Sequence, residues 1–134
     1  RENADAFQGL GVCCLKKGKL KEAYKNLIEA MLINPNKYTI YNSLGVVMEK
    51  NNDLDSAIQM LKIAIKLNPS NVSGFYNLGV VLDKKKNFGK AIEAYEKSLE
   101  LGHKKSEEIR KRVKQLKNII NSLPSYKYGF KMGG

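Results

Sequence analysis

Residues 41–48 read Tyr-Asn-Ser-Leu-Gly-Val-Val-Met, and residues 75–82, which lie 34 positions later, read Phe-Tyr-Asn-Leu-Gly-Val-Val-Leu. A weaker copy lies 34 positions earlier, where residues 7–14 read Phe-Gln-Gly-Leu-Gly-Val-Cys-Cys. A fixed period of this size is typical of stacked repeats, in which each unit buries its apolar face against its neighbours. The sequence therefore divides into three units, at residues 4–37, 38–71 and 72–105.

The second half of each unit repeats with the same period. Its recurring positions hold small residues at Ala23, Ala57 and Ala91, bulky residues at Leu27, Leu61 and Tyr95, small residues at Ala30, Ala64 and Ser98, and prolines at Pro35 and Pro69. An aromatic residue, Leu-Gly, alanine, a bulky residue, a small residue and proline in this order resemble the tetratricopeptide repeat family over residues 4–105. The resemblance implies an all-α fold, a right-handed α-solenoid of antiparallel helix pairs with about seven helices.

We expect two helices in each unit. The first helix of the chain is predicted from Ala4 to Lys17, because its apolar residues recur at spacings of three and four. The left-handed conformation that ends such helices suits Gly18 and Asn52, and is less comfortable for Lys86 at the third equivalent position. Second helices are predicted to begin at Leu20, Leu54 and Phe88, with side-chain caps from Asp53 and Asn87 but none from Lys19.

Small residues at matching positions predict close helix packing. Gly11, Gly45 and Gly79 would let the facing helix approach, which accounts for three glycines inside helices that otherwise disfavour them. The predicted core residues around them are Leu10, Leu44, Leu78, Leu27, Leu61 and Tyr95. Cys13 and Cys14 are interpreted as small apolar packing residues, because no cluster of metal ligands accompanies them.

A further helix is predicted at residues 106–123, with Ser106 as its capping residue. Its apolar stripe is Ile109, Val113, Leu116, Ile120 and Leu123, and its other faces carry the basic residues Arg110, Lys111, Arg112, Lys114 and Lys117. It resembles the terminal capping helix of tetratricopeptide proteins, which covers the last open apolar face. Pro124 is predicted to stop this helix, and residues 124–134 are expected to form a flexible tail.

The sequence offers no catalytic constellation, metal site or cofactor motif, and the single histidine, His103, is predicted to be an exposed turn residue. No apolar run is long enough to span a membrane and no signal peptide is evident. The chain begins at Arg1 without a methionine, so we expect a fragment or a processed product. Two unpaired thiols favour a reducing compartment such as the cytoplasm, and localisation otherwise stays open.

The family resemblance places a partner-binding groove on the first helices. The implied groove residues, transferred by their phase in each repeat, are Asp5, Gln8, Gly9, Val12, Lys16, Thr39, Asn42, Ser43, Val46, Glu49, Lys50, Ser73, Tyr76, Asn77, Val80, Asp83 and Lys84. The valines at three of these positions would form an apolar ridge, flanked by amide side chains that can hydrogen-bond a peptide backbone. Alternatively, these amides are solvated helix surface without a role.

One function within the family is weakened by this sequence. Family members that serve chaperones bind a C-terminal Glu-Glu-Val-Asp carboxylate through lysine, asparagine and arginine at five positions. This chain has Gln8, Val12, Ser43, Ser73 and Asn77 there. The carboxylate clamp is therefore absent.

The net charge of +11 is uneven, since the second repeat is neutral and the excess lies in the first and third repeats and the segment after them. Lysines surround two predicted turns, and we call the set Lys16, Lys17, Lys19, Lys21, Lys50, Lys84, Lys85 and Lys86 the basic edge. Cations there either complement helix C-termini and solubilise the surface, or attract an acidic protein, an anionic membrane or a nucleic acid.

The sequence thus predicts a non-enzymatic interaction module that holds an extended segment or a helix of a partner protein and so assembles a larger complex. Nucleic-acid binding by the basic surface is an alternative, although only Tyr76 offers a stacking platform in the groove. Self-association through an apolar face of the first helix is a second alternative.

Overall fold

The structure, a computed structural model, describes residues 2–124. It contains seven α-helices in that part of the chain: α1 (Glu2–Lys16), α2 (Leu20–Ile33), α3 (Tyr38–Lys50), α4 (Leu54–Leu67), α5 (Val72–Lys84), α6 (Phe88–Glu100) and α7 (Ser106–Asn121). Seven helices without a strand among residues 2–124 confirm the predicted all-α architecture. The predicted tail lies outside the described residues, apart from Pro124.

The packing inside each helix pair explains why a glycine recurs every 34 residues. A Cβ atom added at Gly11 would lie 2.6 Å from Leu27 Cγ, and one added at Gly45 would lie 2.6 Å from Leu61 Cγ. At Gly79 the same atom would lie 2.6 Å from Tyr95 Cδ1. These distances are too short for any real Cβ contact. The glycines therefore set the closeness of the α1–α2, α3–α4 and α5–α6 pairs.

Successive pairs stack with a definite curvature. The first helices α1, α3 and α5 contact their nearest equivalents, whereas the second helices α2, α4 and α6 make no such contact among residues 2–124. Helices on the inner side of a curved stack lie closer together than those on the outer side. The first helices therefore form the concave side, and its surface is called the groove below.

Apolar residues fill the spaces between the layers. Leu27, Leu44 and Leu61 are fully buried, and the buried residues form three adjoining clusters from the first helix pair to α7. Ile109, Val113, Leu116 and Ile120 of α7 complete the last cluster against α6, as the apolar stripe predicted. Leu123 is half-buried beyond the end of this helix.

Two residues that the sequence predicts in the core are exposed instead. Leu10 is 54% exposed, although Leu44 at the equivalent position of the second repeat is fully buried. The reason is that α2 covers the equivalent face of α3, while no helix within residues 2–124 covers this face of α1. Cys13 is exposed for the same reason, and only Cys14 packs against the first cluster.

The predictions for the turns agree with the structure better than the predictions for the helix caps. Gly18, Asn52 and Lys86 have positive φ angles of 77°, 61° and 65°, so Lys86 adopts the backbone conformation that side chains disfavour. Asp53 caps α4 by accepting a hydrogen bond from the Ser56 amide at 3.3 Å.

Two predicted caps are wrong. Asn87 precedes α6 without a side-chain cap bond, and Ser106 is the first residue of α7 instead of its cap. Lys105 takes the cap position of α7 and offers no acceptor there. The acidic residues Glu107 and Glu108 still lie in the first turn, where they favour the positive end of the helix.

Candidate peptide-binding groove

The middle of the groove is apolar. Val12, Val46 and Val80 occupy one position each on α1, α3 and α5, and all three side chains are half-buried. Their neighbours Val47 and Val81 point into the core and are almost fully buried. The first valine of each Val-Val pair is therefore left partly open on the groove.

Polar side chains on adjacent first helices bond to one another across the groove. The Gln8 amide Nε2 donates to Thr39 Oγ1 at 2.8 Å, which joins α1 to α3. The Asn42 amide Nδ2 donates to Asn71 Oδ1 at 3.0 Å and to Ser73 Oγ at 3.2 Å. In return, Asn71 Nδ2 donates to Asn42 Oδ1 at 2.9 Å. We call these bonds the polar ladder, and they occupy the amides of Gln8 and Asn42 that the sequence assigned to peptide binding.

Asn71 anchors this ladder and was not singled out by the sequence. Its side chain is only 4% exposed, and its Oδ1 also accepts the Gly74 backbone amide at 2.9 Å, which caps α5. An asparagine two residues after proline at the start of a helix was the available signal, because asparagine is a preferred cap. Its second role in joining α3 to α5 could be seen only with both helices in place.

Asn77 differs from the other groove amides. Its side chain is half-buried on α5, and within residues 2–124 it makes no hydrogen bond. The hydroxyl of Ser43 on α3 and the bare backbone of Gly9 on α1 occupy the same phase in the other repeats. A Cβ at Gly9 would meet no atom within 4 Å. Within residues 2–124, Asn77 and Ser43 in this row therefore keep hydrogen-bonding capacity on the groove surface.

Tyr76 lies at the end of the groove near the α6–α7 turn. Its ring centroid lies 4.6 Å from that of His103 and 6.1 Å from that of Tyr95, and Lys105 Nζ lies 5.7 Å from its face. His103 is half-buried against Tyr76, so its prediction as an exposed turn residue is wrong. Burial, and then the positive charges of Lys105 and Lys104, lower the pKa of His103 below 6.5. An uncharged imidazole is therefore favoured beside the Tyr76 ring.

A carboxylate fixes α7 to the last repeat. Asp83 Oδ1 and Oδ2 each accept a hydrogen bond of 2.7 Å from the Arg112 guanidinium, and Tyr95 Oη donates to Oδ2 at 3.1 Å. The hydrogen bond to Asp83 raises the pKa of Arg112, while burial and then Asp83 raise the pKa of Tyr95. Asp83 therefore holds the capping helix in place and is not free to bind a partner. The sequence assigned Arg112 to the basic surface and missed this fork-shaped contact.

Other acids of the groove are also paired. Asp5 of α1 bonds to Lys37, and Glu49 of α3 bonds to Lys84 of α5. Lys16 and Lys50 are exposed at the ends of α1 and α3 and make no ion pair among residues 2–124. The unpaired charge at this end of the groove is therefore positive.

The basic edge is only partly neutralised. Lys85 pairs with Asp55 of the second repeat, whereas Lys17, Lys19 and Lys86 are exposed and carry no ion pair in the described part of the chain. Within that part, no three histidine, cysteine or acidic side chains converge as metal ligands would. No helix of residues 2–124 combines the length and apolar character needed to cross a membrane.

Comparison with known families agrees with the repeat pattern. Models described as tetratricopeptide repeat match residues 4–37 and 72–104, and a model described as TPR repeat matches residues 50–86. No curated protein sequence matches the chain significantly.

Solved structures share the fold at low sequence identity. The TPR domain of Arabidopsis OM64 is 18% identical with a TM-score of 0.80, and the match covers 85% of this chain and 96% of that one. The first TPR domain of human RPAP3 is 19% identical with a TM-score of 0.83, covering 90% and 94%. The first TPR of Spaghetti (RPAP3), bound to the HSP90 peptide SRMEEVD, is 18% identical with a TM-score of 0.84 and the same coverage. The chain belongs to the tetratricopeptide repeat family.

Proposed function

We propose that this chain is a non-enzymatic scaffold that binds a segment of a partner protein in its groove and so brings that partner into a larger complex. The family is in general a protein-interaction module, and the structurally similar domain of Spaghetti (RPAP3) was solved with a bound peptide. In this chain, the partner segment would lie along α1, α3 and α5. It would contact the row Val12, Val46 and Val80.

The observation that carries this proposal is that some groove amides are hydrogen-bonded to the protein itself and another is not. Gln8 and Asn42 are occupied by the polar ladder, which fixes the spacing of the first helices. Within residues 2–124, the amide of Asn77 makes no hydrogen bond, and it lies on α5 with the half-buried Val80. A peptide backbone presents a donor and an acceptor at each residue, so an open amide next to an apolar row suits an extended segment.

The partner segment should differ from the peptide bound by the RPAP3 domain. That peptide ends in the sequence EEVD, and the positions that would clamp such an end are Gln8, Val12, Ser43, Ser73 and Asn77 here. None of these side chains carries a positive charge that would pair with a terminal carboxylate. We therefore infer an internal segment, held by apolar contacts and amide bonds, with acidic residues favoured near the exposed Lys16 and Lys50.

A selection experiment tests the groove directly. A displayed library of random peptides is selected on the whole chain, and the enriched peptides are titrated by fluorescence anisotropy against Val46→Glu and Asn77→Ala variants. Both variants should weaken binding by about tenfold or more while the helical circular dichroism stays unchanged. The matched control is Ile63→Glu, an exposed site on α4. Equal binding by wild type and both groove variants would move the site out of the groove.

Self-association is a second candidate function, favoured by the exposure of Leu10. The uncovered face of α1 also includes the exposed Cys13, whereas at the equivalent positions Leu44, Val47 and Val81 are buried and Leu78 is half-buried. A second copy could cover this face. Light scattering on the wild type and on Leu10→Lys would show a shift from dimer to monomer if it does. A wild type that stays monomeric at high concentration would exclude this function.

A further inference from the structure

An apolar cavity opens on the basic edge, away from the groove valines. It has a volume of about 370 Å³ and lies between the start of α2 and the turn that joins α3 to α4. Its lining is apolar or aromatic at Leu20, Tyr24, Val47 and Met48, and polar at Lys21, Asn51, Asp53 and Ser56. Its volume is at the lower end of the range for pockets that hold small ligands, and it has room for a large apolar side chain.

The cavity is apolar inside and has an aromatic ring at its mouth. Val47 is 3% exposed, and Leu20 and Met48 are half-buried around it. Tyr24 is 46% exposed, whereas Ile58 at the equivalent position of the second repeat is half-buried and Ile92 in the third is 8% exposed. The side chain at this position is therefore more exposed at the first junction than at the later ones.

Positive charge surrounds this opening. Between residues 16 and 24 the sequence carries four lysines and one acid, Glu22, and all four lysines are exposed. Within residues 2–124 these lysines form no ion pair. Of the acids across the junction, Asp55 pairs with Lys85, and Asp53, which caps α4, keeps one negative charge against the four lysines. Apolar burial and unpaired cations are thus available at one place.

We infer that this cavity is a second docking site, which takes an acidic segment of a partner protein with one large apolar side chain inserted beside Tyr24 and Met48. Carboxylates flanking that side chain would meet Lys19 and Lys21. Charge excludes two other occupants. Residues 125–134 carry two lysines and no acid, and a second copy brings a net charge of +11. A nucleic acid has the right charge but lacks an aliphatic group to fill a space lined by Leu20, Val47 and Met48.

The inference is independent of the groove proposal and is tested with defined probes on the whole chain. The first probe is a labelled dodecapeptide of alternating Glu and Asp with two central leucines. The second replaces those leucines with serine, and the third is an oligothymidylate of twelve nucleotides. Binding is followed by fluorescence anisotropy at physiological salt and again at high salt. The leucine peptide should bind most tightly, and its affinity should fall as salt rises.

Variants separate the site from general attraction to a basic protein. Lys19→Glu with Lys21→Glu should weaken the leucine peptide by about tenfold, since two ion pairs are lost and reversed. The matched control, Lys62→Glu with Lys66→Glu on α4, changes the net charge equally and should weaken it by less than about threefold. Tyr24→Ala should weaken the leucine peptide but not the serine peptide.

Several outcomes would overturn the inference. These are equal losses in both charge-reversal variants, equal affinity for the leucine and serine peptides, or no saturable binding at millimolar peptide. Tighter binding of the oligothymidylate would assign the edge to nucleic acid instead. Loss of the leucine peptide in the Val46→Glu variant would place it in the groove.

Discussion

Replacement of Gly45 by alanine is the most direct test of the helix packing on which the groove depends. The added Cβ would lie 2.6 Å from Leu61 Cγ, 2.7 Å from Cδ2 and 3.3 Å from Cδ1. Leu61 is fully buried among Ala57, Val81 and their neighbours, so its side chain cannot swing out to solvent. The α3–α4 pair must therefore open by some tenths of an ångström, and this strain passes into the concave surface.

The magnitude follows from two opposing effects. Overpacking of a filled core costs about 1–3 kcal/mol. Alanine in place of glycine inside a helix gains about 0.5–1 kcal/mol. The net loss in the free energy of unfolding should be about 0–2.5 kcal/mol, and a loss near the middle of this range lowers the melting temperature by several degrees. Gly45→Leu should cost more, because its extra atoms have no space at all.

Gly9→Ala is a matched control on α1. A Cβ there meets nothing within 4 Å, so only the helix gain of about 0.5–1 kcal/mol remains and the protein should become more stable. Urea unfolding followed by circular dichroism at 222 nm measures both variants. The two substitutions should have opposite signs. A Gly45→Ala variant that is as stable as Gly9→Ala would refute the close approach of α3 and α4.

Three further predictions concern α7, pH and the open face of α1. Arg112→Ala leaves the Asp83 carboxylate, only 13% exposed, without its guanidinium and should cost about 1–3 kcal/mol, whereas Lys117→Ala, which breaks an exposed pair with Glu96, should cost under about 1 kcal/mol in the same urea assay. Because burial and Asp83 raise the pKa of Tyr95 above 10.0, the folded state holds this proton more tightly than the unfolded state. The contribution of Tyr95 to the free energy of unfolding is complete below pH 10.0 and is lost as the pH rises above it. Tyr95→Phe removes the titrating hydroxyl, so its free energy of unfolding should fall less above pH 10.0. Urea titrations below and above pH 10.0 measure this difference. Leu10→Ser should change the free energy of unfolding by less than about 0.5 kcal/mol, whereas Leu44→Ala should lower it by about 2–5 kcal/mol. Thermal unfolding measures both, and equal effects would contradict the uncovered face of α1.

The repeat period predicted most of the fold because it encodes packing inside one unit. Gly45 and Leu61 belong to the same repeat, and their contact recurs wherever the phase recurs. The same period failed for Leu10, since the burial of that phase depends on the helix before it and not on the residue itself. It also failed for Ser106 and Asn87, because a side-chain cap depends on backbone geometry at the helix start, which residue type alone does not determine.

The sequence predicts a set of groove residues but not the hydrogen bonds that these residues make. The phase of each repeat identified Gln8 and Asn42 as equivalent surface amides, and placed Asn77 one position further along the third repeat. Only the structure shows that Gln8 is bonded to Thr39 of α3, and that Asn42 is bonded to Ser73 of α5 and to Asn71, which caps α5. Bonds of this kind join residues about 30 positions apart, and a single sequence does not reveal which neighbour each amide will choose. The contact between Arg112 and Asp83 was hidden in the same way.

These bonds change where binding strength should lie along the groove. The polar ladder occupies the amides of Gln8 and Asn42 and joins α1, α3 and α5. A partner segment in the proposed groove would therefore meet a surface that is already ordered. The third repeat keeps the free Asn77 and the open face of Val80, with Tyr76 beside them. Arg112 and Asp83 then hold α7 against this end. Asn77→Ala should therefore weaken partner binding by removing a direct contact. Asn42→Ala should act mainly by breaking the polar ladder, which lowers the stability of the fold.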